Sequence, residues 1–144
     1  MAQSDTGSGP TARHEIAEHT GEIAIRLEAR SVVALYAEAG LALTEAMGQT
    51  PASTSDWQER VALEAPDRDA LLVDWLNELV FLAEARKVAF TALEIERISE
   101  RQLEATVRGA HVERPRNLVK AATFHGLCIA ERDGIWSATV VLDV

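Results

Sequence analysis

The stretch EIAIRLEARSVVALYAEAGLALTEAM, residues 22–47, carries two hydrophobic periods in succession. From Glu22 to Glu28 the side chains alternate, with Ile23, Ile25 and Leu27 on one face and Glu22, Ala24, Arg26 and Glu28 on the other. A period of two belongs to a half-buried strand. After Ser31 the period lengthens, and Leu35, Ala39, Ala42 and Ala46 gather near one face of a helix that runs to about Met47. The Ser31 hydroxyl is placed to accept from a first-turn amide, and Gly48 is suited to end the helix. A strand leading directly into a helix is the first half of a strand–helix–strand–helix order.

The second half follows downstream. Residues 49–56 (QTPASTSD) are turn-formers and read as a loop. Trp57 to Ala65 alternates again, with Val61 and Leu63 inward. Pro66 interrupts it, and Asp67 caps a helix to about Arg86 with Leu71, Leu72, Trp75, Leu79 and Leu82 on one face. Strands are then expected over Val88–Ile98 and Leu103–Val107, joined by Ser99-Glu100-Arg101, and over Val119–Glu131 and Ile135–Val144. His111–Asn117 reads as a polar loop. Asp133-Gly134 is a two-residue hairpin signal, because a type I′ turn needs positive φ at both positions. Upstream, residues 1–13 (MAQSDTGSGPTAR) lack apolar periodicity and are expected to be a disordered tail. The expected fold is α+β: a mixed or antiparallel sheet, two main helices packed on one side, and the order strand-helix-strand-helix-strand meander, with 14–144 as a single domain.

The chain has 144 residues, one domain's worth of length. Net charge is −9, from 23 acidic and 14 basic residues, which argues against autonomous nucleic-acid binding through Lys/Arg–phosphate contacts. One stretch reverses the sign, with Arg108, Arg114, Arg116 and Lys120 against Glu113. That pattern suits a protein partner or a bound cation better than a duplex. No apolar run approaches the ~18 residues of a transmembrane helix, and the N-terminus lacks a secretory pattern, so a cytoplasmic location is expected. The single cysteine, Cys128, lies in an apolar run and is expected to be a core thiol. Trp57, Trp75 and Trp136 are expected in the core.

No Gly-rich phosphate loop, catalytic triad spacing or His-x-x-x-His pair is present. What remains is a convergence of acids. The sequence stops at Asp143-Val144, directly after the apolar run Ile135–Leu142, and Glu22 opens the first predicted strand just after His19-Thr20-Gly21. If these ends meet, Glu22, Asp143 and the Val144 carboxylate form a set of hard oxygens suited to Ca²⁺ or Mg²⁺, with Mn²⁺ also compatible. The plain alternative is that Glu22 and Asp143 are separate solvated residues. His14 reads as exposed near the tail. His19 is a structural hydrogen-bonder or lines a site. His125 reads as a structural strand residue, and His111 carries no signal. Lys120 either reaches solvent, balances the carboxylates or meets a phosphate.

The chain resembles the archease family. The carrying segments are His19-Thr20-Gly21-Glu22-Ile23, Ala65-Pro66-Asp67 leading into Leu71–Leu79, Val119-Lys120-Ala121-Ala122-Thr123-Phe124-His125-Gly126-Leu127, and Asp133-Gly134-Ile135-Trp136 through Leu142-Asp143-Val144. The resemblance spans about residues 14 to 144. It implies an accessory protein, not an enzyme, that promotes guanylylation and multiple turnover of a GTP-dependent RNA-splicing ligase in tRNA splicing. It also implies a divalent cation, calcium-like, held by Glu22, Asp143 and Val144, with Lys120, His125 and His19 as partner-contacting or supporting residues. No stable nucleic-acid or membrane binding is implied. This chain departs from the family pattern at Glu22, where Asp is usual, at Gly21 and Ala24, and in a shorter loop before Val119. Two other classes stay open from the residues: a metal-dependent hydrolase using Glu22 and Asp143, and a chaperone-like binding module for RNA-processing enzymes.

Overall fold

The computed structural model of the protein describes residues 11–49 and 54–144. Its elements in chain order are β1 (Ala12–His19), β2 (Glu22–Ala29), α1 (Val32–Ala46), β3 (Trp57–Glu64), α2 (Arg68–Ala85), β4 (Val88–Ile98), β5 (Gln102–His111), β6 (Ala121–Thr123), β7 (Ala130–Arg132) and β8 (Ile135–Asp143). The expected α+β class holds, with two helices and antiparallel strand pairs throughout.

The strands divide between two sheets rather than sharing one. The larger runs β1-β2-β8-β6, with β7 also on β8; the smaller runs β3-β5-β4. One side of β8 is taken by β2 and the other by β6 and β7, while β3, β5 and β4 pair among themselves. Helix α1 packs against β1, β2 and β4, and α2 against β3, β4 and β6, so each helix touches both sheets. The core is built from Ile23, Ile25 and Leu27 of β2, Val140 and Leu142 of β8, Leu103, Ala105 and Val107 of β5, and the buried faces of the helices.

Local chemistry sets the boundaries. The Ser31 hydroxyl accepts from the Ala34 amide at 3.1 Å, and the Asp67 carboxylate accepts from the Ala70 amide at 2.8 Å, each satisfying a donor that the helix start leaves free. Asp133 and Gly134 have φ of 53° and 79°, the signs of a type I′ turn, and join β7 to β8.

Five expectations change. Of the tail over 1–13, residues 1–10 lie outside the described residues, while Ala12 and Arg13 belong to β1. That strand carries one large aliphatic residue, Ile16, so its alternation is nearly silent. His14 is accordingly not an exposed tail residue; its side chain is 19% exposed and packs against α1. The single strand over Val119–Glu131 is two short strands, because Gly126 turns with φ +66° and the Leu127 amide bonds the Phe124 carbonyl at 3.0 Å. Finally, Cys128 is exposed rather than buried. Past that turn Leu127 and Ile129 pack on the core and leave the thiol outside. Trp75 is fully buried, whereas Trp57 and Trp136 are half-buried.

Candidate cation centre

The hairpin register brings the sequence-distant residues together. Pairing of β1 with β2 sets His19 opposite Glu22; pairing of β2 with β8 sets Glu22 opposite Asp143; pairing of β6 with β8 sets Ala121 opposite Asp143. His19, Glu22, Asp143 and Ala121 therefore form one rung across four strands, and directly opposite residues share a face of a sheet. The neighbours Ile23, Leu142 and Ala122 are buried, so by alternation the rung faces away from the core.

Backbone bonds lock the rung. The Val144 amide donates to the Gly21 carbonyl at 3.5 Å, and the Lys120 amide donates to the Asp143 carbonyl at 2.8 Å. A further clasp comes from α2, where the Asn77 side chain donates to the Ala122 carbonyl at 3.2 Å and accepts from the Ala122 amide at 2.8 Å. It fills both hydrogen-bonding positions of one residue on the three-residue β6 and so holds that strand against β8. The sequence offered only a polar residue in an apolar helix as a signal for Asn77.

The candidate residues distribute as follows. Glu22 is half-buried, and Asp143, Val144, His19 and Lys120 are exposed. Neither Glu22 nor Asp143 has an ion-pair partner among the described residues. His125 is not in a strand. It sits in the turn after β6, exposed, with its amide donating to the Thr123 hydroxyl at 3.3 Å. Because Thr123 pairs with Val141, the chain at His125 runs away from Asp143.

The donor chemistry fits a hard cation. Two uncompensated carboxylates in direct register repel each other, and an oxygen-seeking divalent ion relieves that repulsion. Among the described residues no three His, Cys, Asp or Glu side chains converge in metal-binding geometry. A cation at Glu22 and Asp143 would therefore need the Val144 carboxylate, water or a partner group to fill its shell.

The chain's relatives agree with this architecture. Residues 14–144 match the model of the archease protein family. The protein archease of Methanosarcina mazei is 31% identical over 140 residues, covering 92% of this chain and 96% of the relative. That of Methanothermobacter thermautotrophicus is 32% identical over 117 residues, covering 76% and 83%. The solution structure of Methanobacterium thermoautotrophicum protein 1598 superposes with a TM-score of 0.70 at 28% identity, covering 91% of this chain and 98% of the other. A crystal structure of an archease, possible chaperone, from Thermotoga maritima shares the fold with a TM-score of 0.65 at 22% identity, covering 89% and 94%. The match over 131 of 144 positions shows that this chain belongs to the archease family.

Proposed function

We propose that this protein is an accessory factor, not a catalyst, that returns a GTP-dependent RNA-splicing ligase to turnover by promoting its guanylylation. The observation that carries the reading is the direct pairing of Glu22 with Asp143 next to Val144. It gathers negative charge at one sheet end, where a partner can reach it. A divalent cation, calcium above magnesium or manganese for an all-oxygen donor set, would be held by Glu22, Asp143 and the Val144 carboxylate. Such an ion neutralises the paired acids and offers open coordination positions to a partner's oxygens. Glu22 is one methylene longer than the family's usual Asp, so the metal geometry must adjust to it. Exposed Lys120, bonded through its backbone to Asp143, adds a cationic side chain beside the same end.

The test is multiple-turnover RNA ligation with the purified ligase. Asp143→Ala is expected to abolish stimulation while leaving the thermal midpoint within a few degrees of wild type. Adding one glycine after Val144 is expected to weaken both stimulation and Ca²⁺ affinity. Full stimulation by both variants would sink the reading. Turnover of phosphoesters by the protein alone would instead favour a metal-dependent hydrolase.

A chaperone-like reading has one observation in its favour. Leu118 and Phe124 are 50% and 58% exposed on either side of the β6 segment that borders Asp143. It predicts that the ligase gains solubility or thermal stability from this protein with no change in turnover number.

A further inference from the structure

We propose that the outward face of α1 is an interaction surface for a second copy of this chain, with Val33, Ala37 and Leu41 as its ridge and Ala37 at the two-fold axis. This face lies apart from the Glu22–Asp143 rung and does not depend on the function proposed for it.

Residue spacing sets the ridge. Positions 33, 37 and 41 are four apart and stand in one row along the helix. Val33 and Leu41 are 42% and 50% exposed, and Ala37 between them is half-buried. Ala34 and Thr44 flank the row, and the Thr44 hydroxyl already donates to the Gly40 carbonyl at 2.8 Å. On the β4 side Leu93 lies against Gly40, its Cδ1 2.5 Å from where a Cβ would stand. Half-buried Leu93 thus widens the apolar strip.

Charge decides the occupant. Helix α1 holds two charged side chains, Glu38 and Glu45. Both bond the His14 ring on the β1 side, which leaves the row itself without charge. The outward face of α2 is the contrast, because there the exposed Phe81 stands between exposed Asp74 and Glu84. A chain of net charge −9 repels its own copy over most of its surface. Self-association therefore needs a face without acids whose ridge is its own complement. This ridge is large, small, large. In an antiparallel two-fold pair Val33 meets Leu41 of the second copy, and small Ala37 at the axis lets the helices approach. The antiparallel direction also separates the Glu45 carboxylates, since each stands eight residues, about 12 Å, from the axis on opposite sides. A parallel pair would bring them together. Residues 1–10 carry Met1 as their one large apolar side chain and offer little to lay on the row instead.

One helix pair with its flanks buries on the order of 500 Å² per copy, less than the roughly 800 Å² of a standard interface, so the dimer is weak and reversible. Helix α1 lines the core, whereas the rung faces away from it, so both rungs stay uncovered in the pair.

The test is sedimentation equilibrium of the full chain. Between about 10 µM and about 1 mM a reversible monomer–dimer equilibrium is expected, with a Kd on the order of 100 µM. Leu41→Glu sets a carboxylate against Val33 of the second copy and is expected to raise that Kd at least about tenfold, with an unchanged circular dichroism spectrum. Oxidative cross-linking gives a second readout, in a Cys128→Ser background that removes the exposed native thiol. There Ala37→Cys is expected to form a disulfide-linked dimer faster than Asp74→Cys, whose position lies on the charged face of α2. A monomer at every concentration overturns the proposal and leaves the row to a different protein. A Kd that Leu41→Glu does not change, or cross-linking no faster at position 37 than at 74, overturns it equally.

Discussion

His14 carries a carboxylate on each ring nitrogen. Its Nδ1 lies 2.6 Å from Glu38 Oε2 and its Nε2 lies 3.0 Å from Glu45 Oε1. Ionised carboxylates only accept, so both nitrogens can donate only in the imidazolium form. Burial pulls the His14 pKa down, but the hydrogen bonds to Glu38 and Glu45 outweigh it and hold it above the usual histidine value. A raised pKa stabilises the fold fully below the unfolded value of about 6.5, and that contribution is lost as pH rises through the folded value. His14→Gln should therefore cost about 1–2 kcal/mol at pH 6, and the gap from wild type should narrow by pH 9 in urea titrations. A deficit independent of pH would mean that packing, not charge, is what His14 supplies. Cys128 makes a second prediction at this scale. As an exposed thiol it should react with a thiol-specific reagent in the native protein at a rate close to that in denaturant; protection of a hundredfold or more would restore the core assignment.

Among elements, β6 depends on a helix. Three residues are too few for an independent strand, and Asn77 supplies what β6 lacks by pairing with both backbone groups of Ala122. Asn77→Leu keeps the helix propensity but leaves that amide and carbonyl without partners. The expected cost is about 1–3 kcal/mol, with faster hydrogen exchange at Ala122 and little change at the centre of β2. The elements differ in how plainly the sequence announced them. Strand β2 has a clean alternation and helices α1 and α2 have local caps at Ser31 and Asp67, so residues 22–47 and 67–86 read nearly as they fold. Strand β1 is polar on both faces apart from Ile16 and forms because β2 offers it an edge, which is information from outside the segment. The break between β6 and β7 depends on one backbone conformation at Gly126 inside an apolar run. The candidate site was legible in Glu22 and Asp143 because each stands at the end of an alternating run. The place of His19 on the same rung needed the β1–β2 register, and the position of His125 needed the turn.

At the level of the molecule, two sheets share one interior through two helices. Trp75 of α2 donates from its indole to the Tyr36 carbonyl of α1 at 3.0 Å, and the Tyr36 hydroxyl donates to the Arg68 carbonyl at 2.6 Å. The Arg68 guanidinium lies 5.1 Å from the Trp136 ring centre, which continues the chain of contacts into β8. Burial pushes the Tyr36 phenol pKa upward, consistent with its role as a neutral donor. With Trp57 in one sheet, Trp136 in the other and Trp75 between them, intrinsic fluorescence and far-ultraviolet dichroism should report a single coincident unfolding transition. Separate midpoints would show that the sheets melt independently. Two sheets were not legible in the sequence, because the β2–β8 and β3–β5 pairings that separate them join segments remote along the chain.

The Glu22–Asp143 register has a consequence during biosynthesis. Joining Glu22 to Asp143 closes a loop across a separation of 121 positions (143 − 22), a contact that is slow to form. During translation β2 has one flank open until β8 has been made. In that interval the open flank of β2 is an edge on which the β8 of a neighbouring chain can pair instead.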